Sequence, residues 1–484
     1  MLKAGQIKDS VDSAAAGDTL VGRVMATIRQ RIAGRTLAPG AKLPSIRGLA
    51  ESMGVSKSTV VEAYERLAAE GAIHARRGSG FYVRRLPPLS LADVAPRLDR
   101  AVDPLWISRQ SLDAGVGSLR PGCGWLPPDW MPEASLRQAL RRLSRAEAGT
   151  LAEYGTPLGL PALRHLLAHR LAERGVEALP DQIVLTESGT QAIDLVCRFL
   201  LEPGDTVLVD DPCYFNFNAL LRAHRAKIVS VPYTPSGPDL ALFAQALTEH
   251  RPRLYVTNCA LHNPTGATLS AATAHRLLKL AEEAGLTIVE DDIFGDLEPE
   301  AAPRLAGLDG LERVIQIGSF SKTLSASVRC GYIAARRDWI EGLIDLKVAL
   351  SFGGGRLAAE LVLDLLKDGS YRRHVEALRQ RLGRAMAETR GRLAELGIEP
   401  WLTPRGGLFL WCRLPGELDG AEIARHALGE GVVLAPGNAF SLSRTARHFM
   451  RFNVAQAADP RIFTVLRDAM RAASTGGGEV REGL

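Results

Sequence analysis

The chain has 484 residues, of which 46% are hydrophobic and 23% charged, as in ordinary globular proteins. This composition excludes a globally disordered chain, and the length predicts two or three domains. No apolar run approaches the ~18 residues that a membrane-spanning helix needs. The N-terminus also lacks the charged-then-apolar pattern of a signal peptide. We therefore expect a soluble, cytoplasmic protein that has no membrane partner.

Charge is spread unevenly along the chain. Residues 1–85 contain 14 Lys and Arg against 7 Asp and Glu, whereas the remaining residues are nearly neutral in sum. A small basic unit on a near-neutral body favours a polyanion as its partner, and a solvated basic surface is the alternative. The six cysteines form no C-x-x-C pair and no metal-like Cys/His spacing, so they predict free thiols and no metal site.

Residues 19–85 carry the pattern of a winged helix-turn-helix. Apolar residues follow helical spacing from Val21 to Ile32, a second helix is expected to begin at Ser45, and Ser56 caps a third helix. Two short strands around a basic turn follow within residues 73–83. A helix, a helix, a tight turn and a helix form a helix-turn-helix, and the hairpin is its wing.

The second helix of such a pair enters the major groove of DNA, where its first residues meet base edges or phosphates. These residues are short or cationic, and the core does not need them: Ser56, Lys57, Ser58 and Thr59. Further cations that can reach phosphates are Arg47, Arg76 and Arg77. Double-stranded DNA is thus the predicted partner. Because winged helices also dock proteins, a protein partner is the alternative.

Three further segments lack a sustained period. Residues 1–18 predict a disordered arm and the glycine-rich residues 474–484 a disordered tail. Residues 86–118 contain four prolines and predict a linker with room for one short helix.

Residues 119–473 alternate apolar runs with helical stretches, which predicts a mainly parallel sheet with helices on both faces. Two long helices after Arg356 and short strands around 408–412 and 450–454 predict a smaller α+β lobe. The runs expected to be sheet strands are 183–185, 206–209, 228–231, 254–257, 286–289 and 314–317.

Lys322 stands just past the predicted strand 314–317, among small hydroxyl residues. A lysine held in this way can form a Schiff base with an aldehyde cofactor, whose phosphate Ser319 and Arg329 would neutralise. Taken alone, a lysine in such a stretch is more often an ordinary surface residue. The interpretation therefore depends on other parts of the site.

Pyridoxal 5′-phosphate also needs amide donors for its phosphate, a carboxylate for its pyridine nitrogen, a flat neighbour and a donor for O3′. The candidates follow predicted strands, as expected for ligand groups in an open α/β sheet. Asp291 can pair with the pyridinium, Tyr214 can stack on the ring, and Asn263 suits O3′. The alternative for Asn263 is a purely structural role, in which it starts the Pro-Gly turn that follows it. A helix N-terminus suited to phosphate begins with Ser188, Gly189 and Thr190.

Two stretches resemble known families. The residues Leu43-Pro44-Ser45-Ile46-Arg47 and Gly54-Val55-Ser56-Lys57-Ser58-Thr59-Val60 resemble the winged-helix domain of GntR-type bacterial repressors. Residues from about 119 to 470 resemble a fold-type I aminotransferase of the aspartate aminotransferase class. As a whole, the chain resembles the MocR subfamily of transcriptional regulators.

The resemblance implies a multidomain fold in which Lys322 is the lysine of the internal aldimine and Arg451 binds a substrate α-carboxylate. It also implies a homodimer in which Tyr154 reaches the neighbouring subunit's cofactor phosphate. An ion pair that holds the lobe together is the alternative for Arg451, and interface packing is the alternative for Tyr154. Family members often have a tyrosine three residues after the pyridine-binding aspartate, where this chain has Phe294.

Loss of that phenol should blunt transamination, which favours sensing over turnover. The main hypothesis is therefore a DNA-binding regulator that binds pyridoxal phosphate and senses an amino compound or the cofactor itself. A working aminotransferase with an accessory DNA-binding domain is the alternative, and a scaffold with an inactive site is a third. The effector, the operator and the choice between activation and repression do not follow from the sequence.

Overall fold

The computed structural model describes residues 19–33, 37, 40–76, 79–83, 104–113 and 117–476. It divides into two compact units, Met1–Ala95 and Pro96–Leu484. The predicted arm 1–18 and the wing residue Arg77 lie outside the described residues. None of the helices within these ranges is long and apolar enough to cross a membrane.

The first unit has the three helices and the hairpin that the sequence predicts. Ser45 accepts a hydrogen bond from the amide of Gly48, and the φ of 64° at Gly54 ends the second helix in the left-handed region that glycine favours. The elements are α1 (Leu20–Ala33), α2 (Ile46–Met53), α3 (Lys57–Ala69), β1 (Ile73–Arg76) and β2 (Gly80–Val83).

The core of this unit lies between the three helices and the hairpin. Val60 and Tyr64 of α3 are fully buried, as expected from their place on the apolar side of that helix. The hydroxyl of Tyr64 donates to the carbonyl of Pro44 at 2.9 Å, and its ring meets Phe81 of β2 edge-on. The N-terminal residues of α3, by contrast, are not part of this core.

The second unit begins with a helix inside the predicted linker. Its helices are α4 (Pro104–Asp113), α5 (Glu133–Leu143), α6 (Ala148–Ala152), α7 (Pro161–Ala172), α8 (Gly189–Leu200), α9 (Phe215–Ala223), α10 (Leu240–His250), α11 (Ala271–Ala284), α12 (Leu305–Asp309), α13 (Arg337–Ser351), α14 (Arg356–Lys367), α15 (Ser370–Ala394), α16 (Gly420–Gly429) and α17 (Arg461–Gly476). Residues 474–476, expected in the tail, form the end of α17.

The strands of this unit form one large and one small sheet. They are β3 (Ile183–Thr186), β4 (Thr206–Asp211), β5 (Lys227–Thr234), β6 (Gly237–Pro238), β7 (Leu254–Thr257), β8 (Thr287–Asp291), β9 (Val314–Ser319), β10 (Gly331–Ala334), β11 (Glu399–Pro400), β12 (Phe409–Arg413), β13 (Ala435–Pro436) and β14 (Phe449–Asn453).

The large sheet has the strand order β3-β10-β9-β8-β7-β4-β5-β6. Strands β5, β4, β7, β8 and β9 pair in parallel, which confirms the predicted mainly parallel sheet. The sequence analysis missed β10, which runs antiparallel to both β3 and β9. At four residues its apolar run is too short to tell a strand from a loop by periodicity.

Buried apolar side chains cover both faces of the large sheet, while a separate cluster forms the core of the small lobe. The small sheet has the order β11-β12-β14-β13, and its two main strands match the predicted strands within one residue. All six cysteines are buried and unpaired. The carboxyl ends of the parallel strands open toward a common cavity.

Candidate functional site

A cavity of about 230 Å³ lies at the carboxyl ends of the strands. It brings together residues separated by more than 250 positions in the chain, because the parallel strands all end at this edge of the sheet. Ten sequence-predicted residues line it: Ser188, Gly189, Thr190, Tyr214, Asn263, Asp291, Ser319, Lys322, Arg329 and Arg451.

Lys322 follows β9 and extends its amine into this cavity. Nζ donates a hydrogen bond of 2.7 Å to the carbonyl of Gly124. Burial, together with the positive charge of Arg451, lowers the pKa of Lys322 from 10.5 to about 8. A neutral amine is the nucleophilic form of lysine, so this environment prepares Lys322 to attack an aldehyde near neutral pH.

Asp291 is the last residue of β8 and is 6% exposed. Its carboxylate accepts from the amide of Ile293 at 3.1 Å, and burial raises the pKa of Asp291 to about 7. Burial favours the neutral form of this carboxyl group, and it outweighs the opposing effects of the Ile293 amide and of Lys322. A protonated ring nitrogen beside Asp291 would reverse that preference.

The sequence analysis overlooked Asn258, which joins two of the predicted residues. Its side-chain amide donates to the carbonyl of Asp291 at 2.5 Å, and its Oδ1 accepts from the amide of Asn263 at 3.0 Å. Asn258 is the first residue after β7, so its position at a strand end was a signal that could have found it. It holds Asp291 and Asn263 at a fixed separation.

The end of the cavity near α8 is rich in hydroxyl and amide donors. Ser188 caps α8 by accepting from the amide of Gln191 at 3.0 Å, so the helix N-terminus faces the cavity. Ser319 lies opposite, with its hydroxyl 3.0 Å from that of Ser321, and Arg329 adds an exposed cation. Helix N-terminal amides with a cation nearby suit a phosphate.

Arg451 of β14 is fully buried at the other end of the cavity. Nη1 donates to Oδ1 of Asn263 at 2.8 Å, and Nη2 donates to the carbonyl of Gly122 at 2.7 Å. Within the described part of the chain, none of its acceptors is a carboxylate, and its Nε has no partner. The ion-pair alternative for Arg451 does not fit this geometry.

Three phenylalanine rings surround that guanidinium, at centroid distances of 4.2, 4.7 and 5.9 Å. They belong to Phe409, Phe440 and Phe215. The apolar surroundings lower the pKa of Arg451 to about 10 through burial. A buried cation without a counter-charge attracts an anion, and its fork of donors matches a carboxylate.

Two aromatic residues line the cavity where the cofactor ring is expected. Tyr214 stands at the start of α9 and packs against Phe217 edge-on, while Phe294 is buried against Phe409. Among the described residues that line the cavity, Tyr214 is the one tyrosine. The structure thus offers no phenol from the position of Phe294.

Tyr154 does not line this cavity. Its side chain is 77% exposed and stacks on the ring of Phe352, which is 68% exposed, at a centroid distance of 5.6 Å. Tyr154 lines a second cavity of about 170 Å³, whose wall includes Arg329 and the buried Lys347. Tyr154 is therefore placed on the surface beside the phosphate end of its own site.

Other lining residues were also missed by the sequence analysis. The glycine-rich stretch Gly122-Cys123-Gly124-Trp125 crosses the cavity, and Asn453 of β14 fixes it by donating to the carbonyl of Trp125 at 2.8 Å. Its two glycines near the start of the domain were the signal for a close approach. Ser111 of α4 lines the cavity as well, and nothing in its sequence neighbourhood pointed there.

Four of the predicted DNA-contacting residues, Ser56 to Thr59, form the N-terminal end of α3. Ser56 caps α3 by accepting from the amide of Thr59 at 3.1 Å, and its hydroxyl lies 2.7 Å from that of Ser58. Lys57 and Arg47 are exposed at the starts of α3 and α2. Hydroxyls and cations at the N-terminus of a recognition helix suit phosphates and base edges.

The wing adds further cations to the first unit. Arg76, at the end of β1, lies with its guanidinium 4.7 Å from the ring centroid of Tyr82. Lys42, which the sequence analysis overlooked, is exposed and bridges to the same tyrosine through its backbone.

The residues of the large cavity fit pyridoxal 5′-phosphate. The cofactor needs an activated lysine, a buried carboxyl group for its ring nitrogen, and a helix N-terminus with a cation for its phosphate. An amino acid needs a cation for its carboxylate, which the uncompensated arginine supplies. No group of three His, Cys, Asp or Glu side chains suited to a metal occurs among the described residues. The fold and this site define a pyridoxal-phosphate-dependent protein of the aminotransferase type.

Comparison with known proteins agrees with this class. Residues 126–466 match the family described as aminotransferase class I and II, and residues 20–83 match bacterial regulatory proteins of the gntR family. The HTH-type transcriptional regulator YdcR of Escherichia coli K12 is 30% identical over 88% of this chain and 93% of its own length. This chain belongs to the GntR-type regulators fused to a class I and II aminotransferase domain, known as the MocR type, and its cofactor is pyridoxal 5′-phosphate.

Two enzymes are similar to the second unit. The 2-aminoadipate transaminase of Thermus thermophilus is 30% identical over 69% of this chain and 86% of its own length. The solved structure of LysN, the α-aminoadipate aminotransferase of the same species complexed with N-(5′-phosphopyridoxyl)-L-leucine, superposes with a TM-score of 0.70 at 27% identity. The superposition covers 76% of this chain and 95% of the LysN chain.

Proposed function

We propose that this protein is a cytoplasmic transcription regulator whose second unit senses an α-amino acid or a related amine through its cofactor site. The observation that carries this proposal is the buried guanidinium of Arg451, which has only neutral acceptors and lies in the same cavity as Lys322. An uncompensated buried cation is unfavourable unless a ligand supplies the anion. The α-carboxylate of an amino acid is that anion.

When bound, the cofactor supplies an aldehyde that condenses with amines and a ring that accepts electrons. The chain's own residues then have separate tasks. Lys322 would provide the amine that holds the cofactor, Asp291 would hold a proton on the ring nitrogen, and Asn263, which accepts from Arg451, would serve O3′. The α8 N-terminus, Ser319 and Arg329 would bind the phosphate.

Sensing requires that the ligand prefers one arrangement of the protein over another. An amino ligand competes with Lys322 for the cofactor and neutralises Arg451 of the small lobe. Both changes alter how the small lobe packs on the large sheet. DNA binding by α3 and the wing would then depend on the occupancy of the cavity.

The surface around Tyr154 supports a homodimer. Large apolar side chains that are about half exposed or more gather in two stretches, Leu151–Tyr154 and Leu350–Leu357. Exposed apolar surface of this kind marks an interaction site. A second copy that covers it would bring Tyr154 toward the partner's phosphate group. Light scattering should then give twice the mass of one chain, and Tyr154→Asp should shift it toward the monomer.

The regulator proposal is tested by mapping chromosomal DNA bound by the full-length protein with and without pyridoxal phosphate. We expect enrichment of discrete fragments that changes with the cofactor or with added amino acids. Enrichment that is the same for wild type and for Lys322→Ala under every condition would contradict the proposal.

A working aminotransferase is the second candidate, because the second unit resembles the 2-aminoadipate transaminase of Thermus thermophilus. Incubation of the protein with amino-acid donors and 2-oxo acid acceptors separates the two functions. Turnover at ordinary enzyme rates of about 1–10³ s⁻¹ would favour the enzyme. We expect much slower turnover, because Phe294 supplies no phenol.

A further inference from the structure

Ser111 is a buried hydroxyl that has no hydrogen-bond partner among the described residues. It lies on α4 and is 1% exposed, and its Oγ is unpaired. The same side chain lines the cofactor cavity. Buried hydroxyls in folded proteins nearly always have a partner, so an orphan in a cavity wall indicates that the partner is a ligand.

The position of α4 indicates which part of a ligand Ser111 can contact. Helix α4 packs against α9, and the first residue of α9, Phe215, also lines the cavity. The ring centroid of Phe215 is 5.9 Å from the guanidinium carbon of Arg451. Ser111 therefore enters the cavity on the side of α9, whose first residue approaches the carboxylate-binding arginine.

The charges of the cavity restrict the ligand further. Among the described lining residues the cations are Lys322, Arg329 and Arg451. In the proposed function each of them already serves the cofactor or the α-carboxylate. A ligand side chain that meets Ser111 thus finds a hydroxyl in a cavity whose other lining residues include aromatic ones such as Trp125. This lining suits an uncharged polar group better than a second carboxylate.

Helix α4 also has a special place in the chain. It is the first described element of the second unit, and residues 84–103 connect it to the wing of the DNA-reading unit. A contact between ligand and α4 therefore acts on the segment that tethers the first unit. Differential binding of this kind is what couples two sites.

We propose that Ser111 is a ligand-binding residue that donates to the uncharged polar side chain of a bound amino acid and so couples the cavity to the DNA-reading unit. This inference rests on the proposed function, since it needs an amino acid held by Arg451 next to the cofactor. Beyond the proposed function, it specifies that the bound amino acid has an uncharged polar side chain, and that α4 transmits the effect of its binding.

The experiment uses the full-length protein loaded with pyridoxal phosphate and two probes of similar length, L-glutamine and L-methionine. Affinities are measured by calorimetry for the wild type, Ser111→Ala, Ser111→Thr and Leu112→Ala. Leu112 is the matched control, because it is the next residue of α4 and is 71% exposed. Thermal unfolding of each variant shows that it is folded.

We expect the wild type to bind L-glutamine about tenfold more tightly than L-methionine, which is the worth of one net hydrogen bond. Ser111→Ala should lose this preference, Ser111→Thr should keep most of it, and Leu112→Ala should behave as the wild type. Equal affinities in the wild type, or a preference that survives in Ser111→Ala, would overturn the inference.

A second measurement tests the coupling. L-glutamine should change the affinity of the wild type for the most enriched chromosomal fragment, and Ser111→Ala should abolish that change without altering ligand-free DNA binding. A change that persists in Ser111→Ala contradicts the role of α4. Borohydride reduction with mass spectrometry distinguishes failure of this inference from failure of the proposed function. With a cofactor adduct on Lys322 and amino-acid binding that does not depend on Ser111, only this inference fails; without the adduct, the proposed function fails too.

Discussion

Nη1 of Arg451 donates a hydrogen bond of 2.8 Å to Oδ1 of Asn263, although 188 positions separate the two residues in the chain. This contact joins the small lobe to the loop that follows β7 of the large sheet. It places the candidate carboxylate-binding cation beside the candidate partner of O3′. Amino-ligand and cofactor recognition therefore share one hydrogen-bond network.

Arg451→Lys should weaken amino-acid binding by about 10- to 100-fold while the cofactor stays bound. A lysine keeps the charge but offers no fork for a carboxylate, and charged hydrogen bonds contribute about 1.5–3 kcal/mol each. Calorimetry with L-glutamine measures the loss, and the absorbance of the bound cofactor is the control. Unchanged affinity would mean that Arg451 does not contact the carboxylate.

Capture of pyridoxal phosphate by the cofactor-free protein should speed up with pH and level off slightly above pH 8. The neutral amine of Lys322 is the reactive form, and its pKa lies at about 8 instead of 10.5. Stopped-flow absorbance at a series of pH values measures the rate, with Lys322→Ala as the blank. A rate that still rises steeply above pH 9 would show that the lysine is not desolvated.

Asp291→Asn should make the cofactor-free protein less sensitive to pH between about 4 and 7. The pKa of Asp291 is about 7 in the folded state against an ordinary 3.8, so the stability linked to its proton is complete below pH 3.8 and is lost as pH rises to 7. Relative to the wild type, the variant should gain on the order of 2 kcal/mol across this window. Urea unfolding at pH 4.5 and 7.5 measures the difference.

The comparison uses the change between the two pH values, so effects of the substitution that do not depend on pH cancel. Glu290, whose pKa burial also raises to about 7, contributes equally to both proteins. A difference that stays constant with pH would place the carboxyl group of Asp291 in a more polar setting than its burial implies.

Lys57→Ala should weaken DNA binding to all sequences by a similar factor and lower the salt dependence by about one phosphate contact. Lys57 is exposed at the N-terminus of α3, where it makes no contact that the core needs. Lys279→Ala, at an exposed position of α11 in the other unit, is the control. If both variants have the same salt slope, α3 is not the helix that meets the phosphates.

Phe294→Tyr should raise transaminase turnover by up to about 100-fold, which is the typical effect of one preorganised donor. Phe294 is buried in the cavity wall, so a phenol there would reach the cofactor ring. The product formed from an amino-acid donor and a 2-oxo acid measures the effect. Phe409→Tyr, on the ring that packs against Phe294, is the control for an added hydroxyl.

The helices and strands of both units were predictable where a long apolar period recurs. The caps Ser45 and Ser56 and the strand that ends at Asp291 all lie where their local patterns place them. The exceptions have short or irregular patterns. Strand β10 has only four residues, and α4 lies in a proline-bearing segment that was expected to be a linker with room for one short helix at no stated position.

The sequence by itself determined the kind of chemistry, because a lysine after one strand, an aspartate at the end of another and a Ser-Gly-Thr helix start are local patterns. Their order along parallel strands was enough to place them at one edge. Only the tertiary structure decided what surrounds them. It buried Arg451 without a carboxylate partner, set Asn258 between Asp291 and Asn263, and brought the unpaired Ser111 of α4 to the cavity wall. Burial and pairing depend on which distant segments meet, and no periodicity within one segment encodes that meeting.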